Sequence, residues 1–366
     1  MQNPFRFDGP ASEEASVGRP EIDEVLKRHY TNGQNLLLQG PRRTGKTTSV
    51  LNFFSRQDCV FVHCDFFGVS SEESAARIIG DAIARAGGPA RKARSALGRL
   101  SGVQVLGLGF SIQGGNRQMN VHDALVALKP LCGGGKRLVV FLDEIQDLAK
   151  LDRHEEIFGQ MRALVQSDLK DALFIFGGSD QNALRDMFFN ARKAFFKSAG
   201  VLDVNSIEAT VLIPWLKERF ADGGRDVNAA DLESAYKSLA GIPGDMQWLC
   251  FFLWEVSEPG GKIGQEQMTA ALEEILRAQG QSLAQLWSLL PATQRNTLLG
   301  LIRLGDEATE FSSARFVKEA GLSSGSVAIR ALKSLEDKGV IWKYGRHYRF
   351  TNPFFPLWIQ QQNFAI

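Results

Sequence analysis

The stretch Gly40-Pro41-Arg42-Arg43-Thr44-Gly45-Lys46-Thr47-Thr48 constrains this chain more than any other. Before it lies the short apolar run 35–39, which reads as a buried parallel strand. After it comes an amphipathic stretch through Val50, Leu51 and Phe54. Strand, G-x-x-x-x-G-K-T and helix, in that order, are the context a phosphate-binding loop requires. Gly40 and Gly45 let the backbone curl so that successive N–H groups converge on phosphate oxygens. The helix beginning near Gly45 adds the positive end of its dipole. In such a loop Lys46 reaches the β- and γ-phosphates and the Thr47 hydroxyl serves Mg2+, so ATP and Mg2+ are the expected ligands. Pro41, Arg42, Arg43, Thr44 and Thr48 complete the candidate lining.

A second signal lies near residue 140. The apolar run 137–142 ends in Asp143-Glu144, two adjacent carboxylates. Side chains alternate along a strand, so the two acids are expected to point apart and take different roles. Asp143 suits the metal side, and Glu144 suits orienting and deprotonating an attacking water. Another apolar run, 172–176, leads into Gly177-Gly178-Ser179-Asp180, and residues 59–65 read as a further strand with Asp65 at its end. Ligands sit at the carboxyl ends of strands in an α/β sheet, which puts Ser179 where a hydroxyl meets the γ-phosphate or the water. The alternative for Ser179 is an N-cap of the helix that follows.

The expected fold is therefore α/β, a RecA-like P-loop core with a parallel sheet over residues 1–206. Beyond residue 207 the pattern turns helical, with a helix opening at Pro214 and others over 230–239, 244–256 and 265–278. From Pro291 three helices (295–304, 313–320 and 324–338) precede two short β runs separated by Gly345-Arg346. That order describes a winged helix over 291–366, leaving 207–290 as a helical lid. The third helix would be the reader, with Val327, Leu332 and Leu335 inward. Arg330 and Lys333 on that helix, with Lys343, Arg346 and Arg349 on the wing, are candidate contacts to double-stranded DNA.

Charge narrows the partners. The 366 residues carry 42 Lys and Arg against 41 Asp and Glu, so nucleic-acid binding has to rest on a local patch. Residues 291–366 supply one, with ten Lys and Arg against six acids. The basic stretch Arg91, Lys92, Arg94 and Arg99, ahead of a glycine-rich run that reads as a hairpin, is either a phosphate-tracking segment or a solvated face. Cys59, Cys64, Cys132 and Cys250 show no C-x-x-C pairing, which fits reduced thiols in a cytoplasmic protein. The opening residues lack a leader pattern, and no apolar run approaches the length of a membrane span.

Taken together, these segments resemble the archaeal-type ATPases of the STAND branch of AAA+ proteins. The resemblance rests on Asn3-Pro4-Phe5, on Gly18-Arg19-Pro20-Glu21, on the G-P-R-R-x-G-K-T loop and on Asp143-Glu144-Ile145-Gln146. Gly178-Ser179 and Ala240-Gly241-Ile242-Pro243-Gly244 extend it over nearly the whole chain. It implies an opening segment and Arg19 near the adenine, Pro243 in a helical lid over nucleotide, and Ser179 as a sensor. It also implies an ATP-driven switch, acting as a homo-oligomer or with a protein partner. Two departures stand out. Only Lys197 occupies the place of a G-R pair found in relatives, and residues 244–248 lack a sensor arginine, leaving Arg185 and Arg192 as possible fingers. The alternative function is a signalling scaffold that binds nucleotide, hydrolyses it slowly or not at all, and docks its winged helix on a protein.

Overall fold

In the computed structural model, residues 2–86, 104–106, 109–111, 119–132 and 135–362 are described. The basic stretch Arg91, Lys92, Arg94 and Arg99 lies outside the described residues. The chain divides into two units, one spanning Asp8–Ser206 and the other combining residues 2–7 with 207–362.

Alternation along one strand organises the first unit. Its elements run α1 (Pro20–Asn32), β1 (Leu36–Gln39), α2 (Lys46–Ser55), β2 (Cys59–Asp65), α3 (Glu72–Arg85), the hairpin β3 (Gln104–Leu106) and β4 (Gly109–Ser111), and α4 (Val121–Val126). They continue with β5 (Arg137–Asp143), a 3-10 turn (Ile145–Lys150), α5 (His154–Gln166), β6 (Leu173–Gly178), α6 (Gln181–Phe189) and β7 (Gly200–Asp203). Along β5, Leu138, Val140 and Leu142 pack on one face with Ile79, Ile83, Leu125 and Met161 of the helices α3, α4 and α5. Val139 and Phe141 pack on the other face with Ile22 and Leu26 of α1 and Val50 and Phe53 of α2. A strand apolar on both faces needs helices on both, which is why it reads as a continuous hydrophobic run.

The sheet order is β2-β5-β6-β1-β7, with every pairing parallel. β6 thus lies between β1 and β5, its Gly177 and Gly178 paired with Leu38 and Gln39 of β1. The glycine-rich run is a hairpin in its described part, Gln104 pairing with Ser111. β7 was not legible beforehand. Its residues Gly200, Val201 and Asp203 are exposed, and its apolar stretch is only Val201-Leu202, too short to mark a strand.

The second unit holds α7 (Ala209–Asp222), β8 (Asp226–Val227), α8 (Ala229–Ser238), α9 (Pro243–Glu255), β9 (Lys262–Ile263) and α10 (Gln265–Leu289). It ends with α11 (Ala292–Leu304), α12 (Ala314–Glu319), α13 (Gly325–Asp337), β10 (Ile341–Tyr344), β11 (His347–Phe350) and α14 (Phe355–Gln361). Three expectations need correction. Pro214 does not open a helix but sits inside α7, whose first turns are held by buried Leu212 and Ile213. The helix expected over 265–278 runs to Leu289, because Leu283 and Trp287 continue its buried stripe. The core does not begin at residue 1. Phe5 is buried among Trp215, Phe220 and Trp254, with ring centroids 6.5, 4.7 and 6.1 Å away. Asn3 donates to the Phe251 carbonyl at 3.1 Å, and Phe7 stacks on Trp248 at 5.2 Å, so the opening segment is an aromatic strap on α9.

The winged helix is built as expected, with two small adjustments. Ser324, read as the first residue of the third helix, is instead its cap, accepting from the Val327 N–H. Its buried face is Ala328, Ala331, Leu332 and Leu335, with Val327 only half-buried. β10 and β11 pair antiparallel around Gly345-Arg346. The tail returns as packing, with Phe354 against Trp248 and Phe355 against Trp287.

Candidate functional site

The loop after β1 is shaped by close approaches. A Cβ on Gly40 would stand 2.2 Å from the Val204 carbonyl oxygen, so no side chain fits there. Arg43 adopts a left-handed φ of 66°, unusual for a residue with a side chain. Thr44 Oγ donates to the Pro41 carbonyl at 2.9 Å and closes the curl. Lys46 opens α2 and folds back over the loop, its Nζ donating to the Gly40 and Pro41 carbonyls at 2.8 Å each. Burial pushes the Lys46 ammonium down to about 8, against the attraction of Glu144 and Asp143. Arg19 braces the same loop from outside, donating to the Thr44 and Asn205 carbonyls at 3.5 and 3.3 Å.

The two acids after β5 occupy distinct places, for a reason other than strand alternation. β5 stops at Asp143, and Glu144 turns into a left-handed conformation with φ 48° and ψ 41°. Buried Asp143 accepts the Thr47 hydroxyl on Oδ2 at 2.5 Å and the Glu144 N–H on Oδ1 at 3.0 Å. Two hard oxygen donors therefore meet at contact distance, a set that suits Mg2+ rather than a softer ion. Glu144 Oε2 accepts from Ser179 Oγ at 2.7 Å and from Gln146 Nε2. Ser179 is not the cap of α6. Asp180 holds that place, accepting from the N–H groups of Asn182 and Ala183.

Thr47 lies in the first turn of α2, beyond the loop that follows β1, and Asp143 ends β5, yet β6 runs between those two strands. They meet because β6 ends in glycine. A Cβ on Gly177 would lie 2.5 Å from Asp143 Oδ1, and one on Gly178 would lie 2.3 Å from Gln146 Oε1. Sequence reasoning used Gly178 only for the resemblance and gave Gly177 no role, although paired glycines at a strand end signal a close approach. It also gave Gln146 no role. His63 went unmarked as well: it stacks on Phe141 at 4.9 Å, and its Nε2 stands 3.8 Å from Asp143 Oδ2 without a hydrogen bond. Nothing in an alternating strand such as 59–65 would have flagged it.

The other expected residues fall elsewhere. Asp65 accepts from the Phe67 N–H at 2.9 Å and so closes a turn. Pro243 begins α9 in the second unit, where Tyr236 donates to the Ile207 carbonyl at 2.9 Å and fills the space beside Gly241. Lys197 lies over the Phe196 ring at 5.3 Å.

On the winged helix, Arg330, Lys333, Lys343 and Arg346 are exposed. Arg349 is engaged with Asp306 at 3.2 Å. Ile329, 48% exposed, stands beside Arg330 on the outward face of α13, an apolar group among cations that the sequence reading did not single out.

Residues 281–361 match the family model described as a probable winged helix domain. No curated protein matches the chain. Among solved structures, a Walker-type ATPase of Pyrococcus abyssi is similar at a TM-score of 0.69 and 17% identity, covering 98% of this chain and 99% of that one. The ORC2 protein of Aeropyrum pernix in its ADP form follows at 0.57 and 15%, covering 98% of each. The ORC1 protein of the same organism, solved in complex with DNA, is similar at 0.54 and 14%, covering 96% of this chain and 94% of that one. The likeness is one of fold: a P-loop ATPase core with a parallel sheet, followed by helices and a winged helix. No helix among the described residues is long and apolar enough to cross a membrane.

Gly177→Ala should shift the Asp143 carboxylate and destabilise the protein by roughly 1–3 kcal/mol, the usual cost of overpacking. Gly159→Ala, on an exposed helical turn with nothing within 4 Å of the added methyl, should instead stabilise it by about 0.5–1 kcal/mol. Urea unfolding of both variants checks this, and equal effects would show that the β6 gap is not needed.

Proposed function

We propose that this chain binds MgATP on the loop 40–48, hydrolyses it, and works as an AAA+ switch of the STAND type. One observation carries the reading: the Thr47 hydroxyl and the Asp143 carboxylate meet at 2.5 Å beneath the loop, with Glu144 fixed beside them by Ser179. Lys46 exchanges its two loop carbonyls for β- and γ-phosphate oxygens, and loop N–H groups take the remaining phosphate charge. Thr47 and Asp143 hold Mg2+, which neutralises charge on the phosphates when bound. Glu144 accepts a proton from the attacking water, and Ser179 keeps its carboxylate in place. Arg19 positions the loop rather than the base. Arg43, Thr44, Gly45 and Thr48 line the phosphates, and Arg42 adds only its backbone there, its guanidinium being turned to Ser179 and Phe67.

The output is duplex DNA, bound through the exposed cations Arg330, Lys333, Lys343 and Arg346 of the winged helix. Arg349 is paired with Asp306 and contributes less than the sequence alone implies. The DNA-bound ORC1 structure supports this reading by analogy of fold. The second reading, a nucleotide-dependent scaffold whose winged helix docks on a protein, is favoured by exposed Ile329, since an apolar group in that stripe suits a protein surface.

Lys46→Ala should abolish most ATP affinity, whereas Glu144→Gln should keep MgATP binding and slow turnover roughly a hundred- to ten-thousand-fold. Direct binding and steady-state hydrolysis separate the two. Undiminished affinity in the first variant, or parent turnover in the second, would remove the corresponding role.

Arg330→Ala and Arg346→Ala should each flatten the slope of log DNA affinity against log salt by about 1 unit, leaving ATP affinity unchanged. A salt titration of duplex binding checks it. Binding that is undetectable at low salt, or indifferent to both substitutions, selects the scaffold reading.

A further inference from the structure

This inference rests on the hydrolysis proposed above. We infer that Arg42 is a positioning residue for the water-activating carboxylate: through Nε it sets the Ser179 hydroxyl, and through Ser179 it fixes which Glu144 oxygen is left for the attacking water.

Arg42 Nε donates to Ser179 Oγ at 3.2 Å, and Ser179 Oγ donates onward to Glu144 Oε2 at 2.7 Å. A hydroxyl has one proton to give. The cationic donor on its oxygen leaves that proton committed to the carboxylate and strengthens the bond it makes. Gln146 Nε2 donates to the same Oε2. Among the described residues, both side-chain donors to Glu144 thus land on one oxygen, which leaves Oε1 to accept from water. A general base works only when the accepting atom is aimed, so an anchored Oε2 is what orients Oε1.

The guanidinium has its own support. Arg42 lies over the Phe67 ring at 5.0 Å, and Phe67 is otherwise 61% exposed, an aromatic ring with no core to serve. The turn presenting that ring is pinned twice. The Phe67 N–H donates to Asp65 Oδ1 at 2.9 Å, and the Gly68 N–H donates to Asp147 Oδ2 at 2.8 Å. Asp147 lies in the 3-10 turn directly after Glu144. The shelf under Arg42 and the carboxylate it serves are therefore tied to the same short stretch of chain. That explains a buried Asp147, an exposed Phe67 and an arginine in the phosphate loop by one arrangement.

Two substitutions separate the hydrogen bond from the charge. Glutamine carries Nε2 at the position of arginine Nε along the side chain, so Arg42→Gln keeps the donor and loses the charge. Arg42→Met keeps the length and loses both. The measurement is kcat and, separately, the ATP dissociation constant for the parent and both variants, alone and in a Ser179→Ala background. Arg42→Met should lower kcat about tenfold, the worth of one net hydrogen bond, with the dissociation constant unchanged. Arg42→Gln should regain most of that loss, and Arg42→Met should have no further effect once Ser179 is alanine. Equal loss in both variants would assign the effect to charge and overturn the inference. Weaker ATP binding at constant kcat would make Arg42 a phosphate ligand instead, and a further loss in the Ser179→Ala background would break the proposed route. A parent that binds ATP without turning it over would be visible before any variant is compared, and would remove the hydrolysis reading and this inference together.

Discussion

The site depends on a gap in the sheet. β1 carries the phosphate loop and β5 carries the acids, but β6 separates them. Any side chain on Gly177 would collide with the Asp143 carboxylate, and any on Gly178 with Gln146. With both positions bare, Asp143 reaches across the end of β6 to the Thr47 hydroxyl. The rest follows from that reach. Lys46, one residue before Thr47, is drawn into a buried place where its charge is supported by Asp143 and Glu144. Glu144 must leave the strand direction at once, which the left-handed turn achieves, and Ser179, two residues past Gly177, arrives close enough to hold it.

Much of this was legible because it is written in local patterns. The strand, loop and helix around Gly45 need only neighbouring residues, and so do the apolar runs of β5 and β6. The winged helix was equally readable, since caps and the Gly345-Arg346 turn mark its boundaries within a few residues. What sequence could not supply is anything set by neighbours distant along the chain. The alternation argument separated Asp143 from Glu144 correctly but for the wrong reason, since a turn rather than a strand divides them. The role of Gly177 is invisible without knowing that β6 intervenes, and β7, four residues long with three of them exposed, has only Val201 and Leu202 as an apolar mark. Arg349 read as a free cation until Asp306, forty-three residues earlier, came beside it.

The second unit shows the same division between local and distant causes. Its helices are periodic and were expected, yet the opening segment was assigned to the core, where the family resemblance set it near the adenine. Phe5 and Phe7 are instead satisfied by Trp254, Phe220 and Trp248, three aromatic side chains supplied more than two hundred residues later. Trp248 also receives Phe354 from the returning tail, so both ends of the chain are fastened to α9. Aromatic pairs of this kind contribute about 0.5–1.5 kcal/mol each beyond their buried area, enough to hold two short segments that have no sheet or long helix of their own.

The central claim is that Lys46 leaves its loop carbonyls for phosphate. In the free protein burial holds its ammonium near 8, so above that pH it is increasingly neutral. Phosphate oxygens favour the charged form, so binding raises the value and takes up a proton, and affinity falls as pH climbs through this window. The direct test is calorimetric titration of MgATP at pH 6.5 and pH 9 in paired buffers of different ionisation enthalpy. The account predicts proton uptake approaching one per site at the higher pH and little at the lower. Binding with no proton uptake at pH 9 would contradict it.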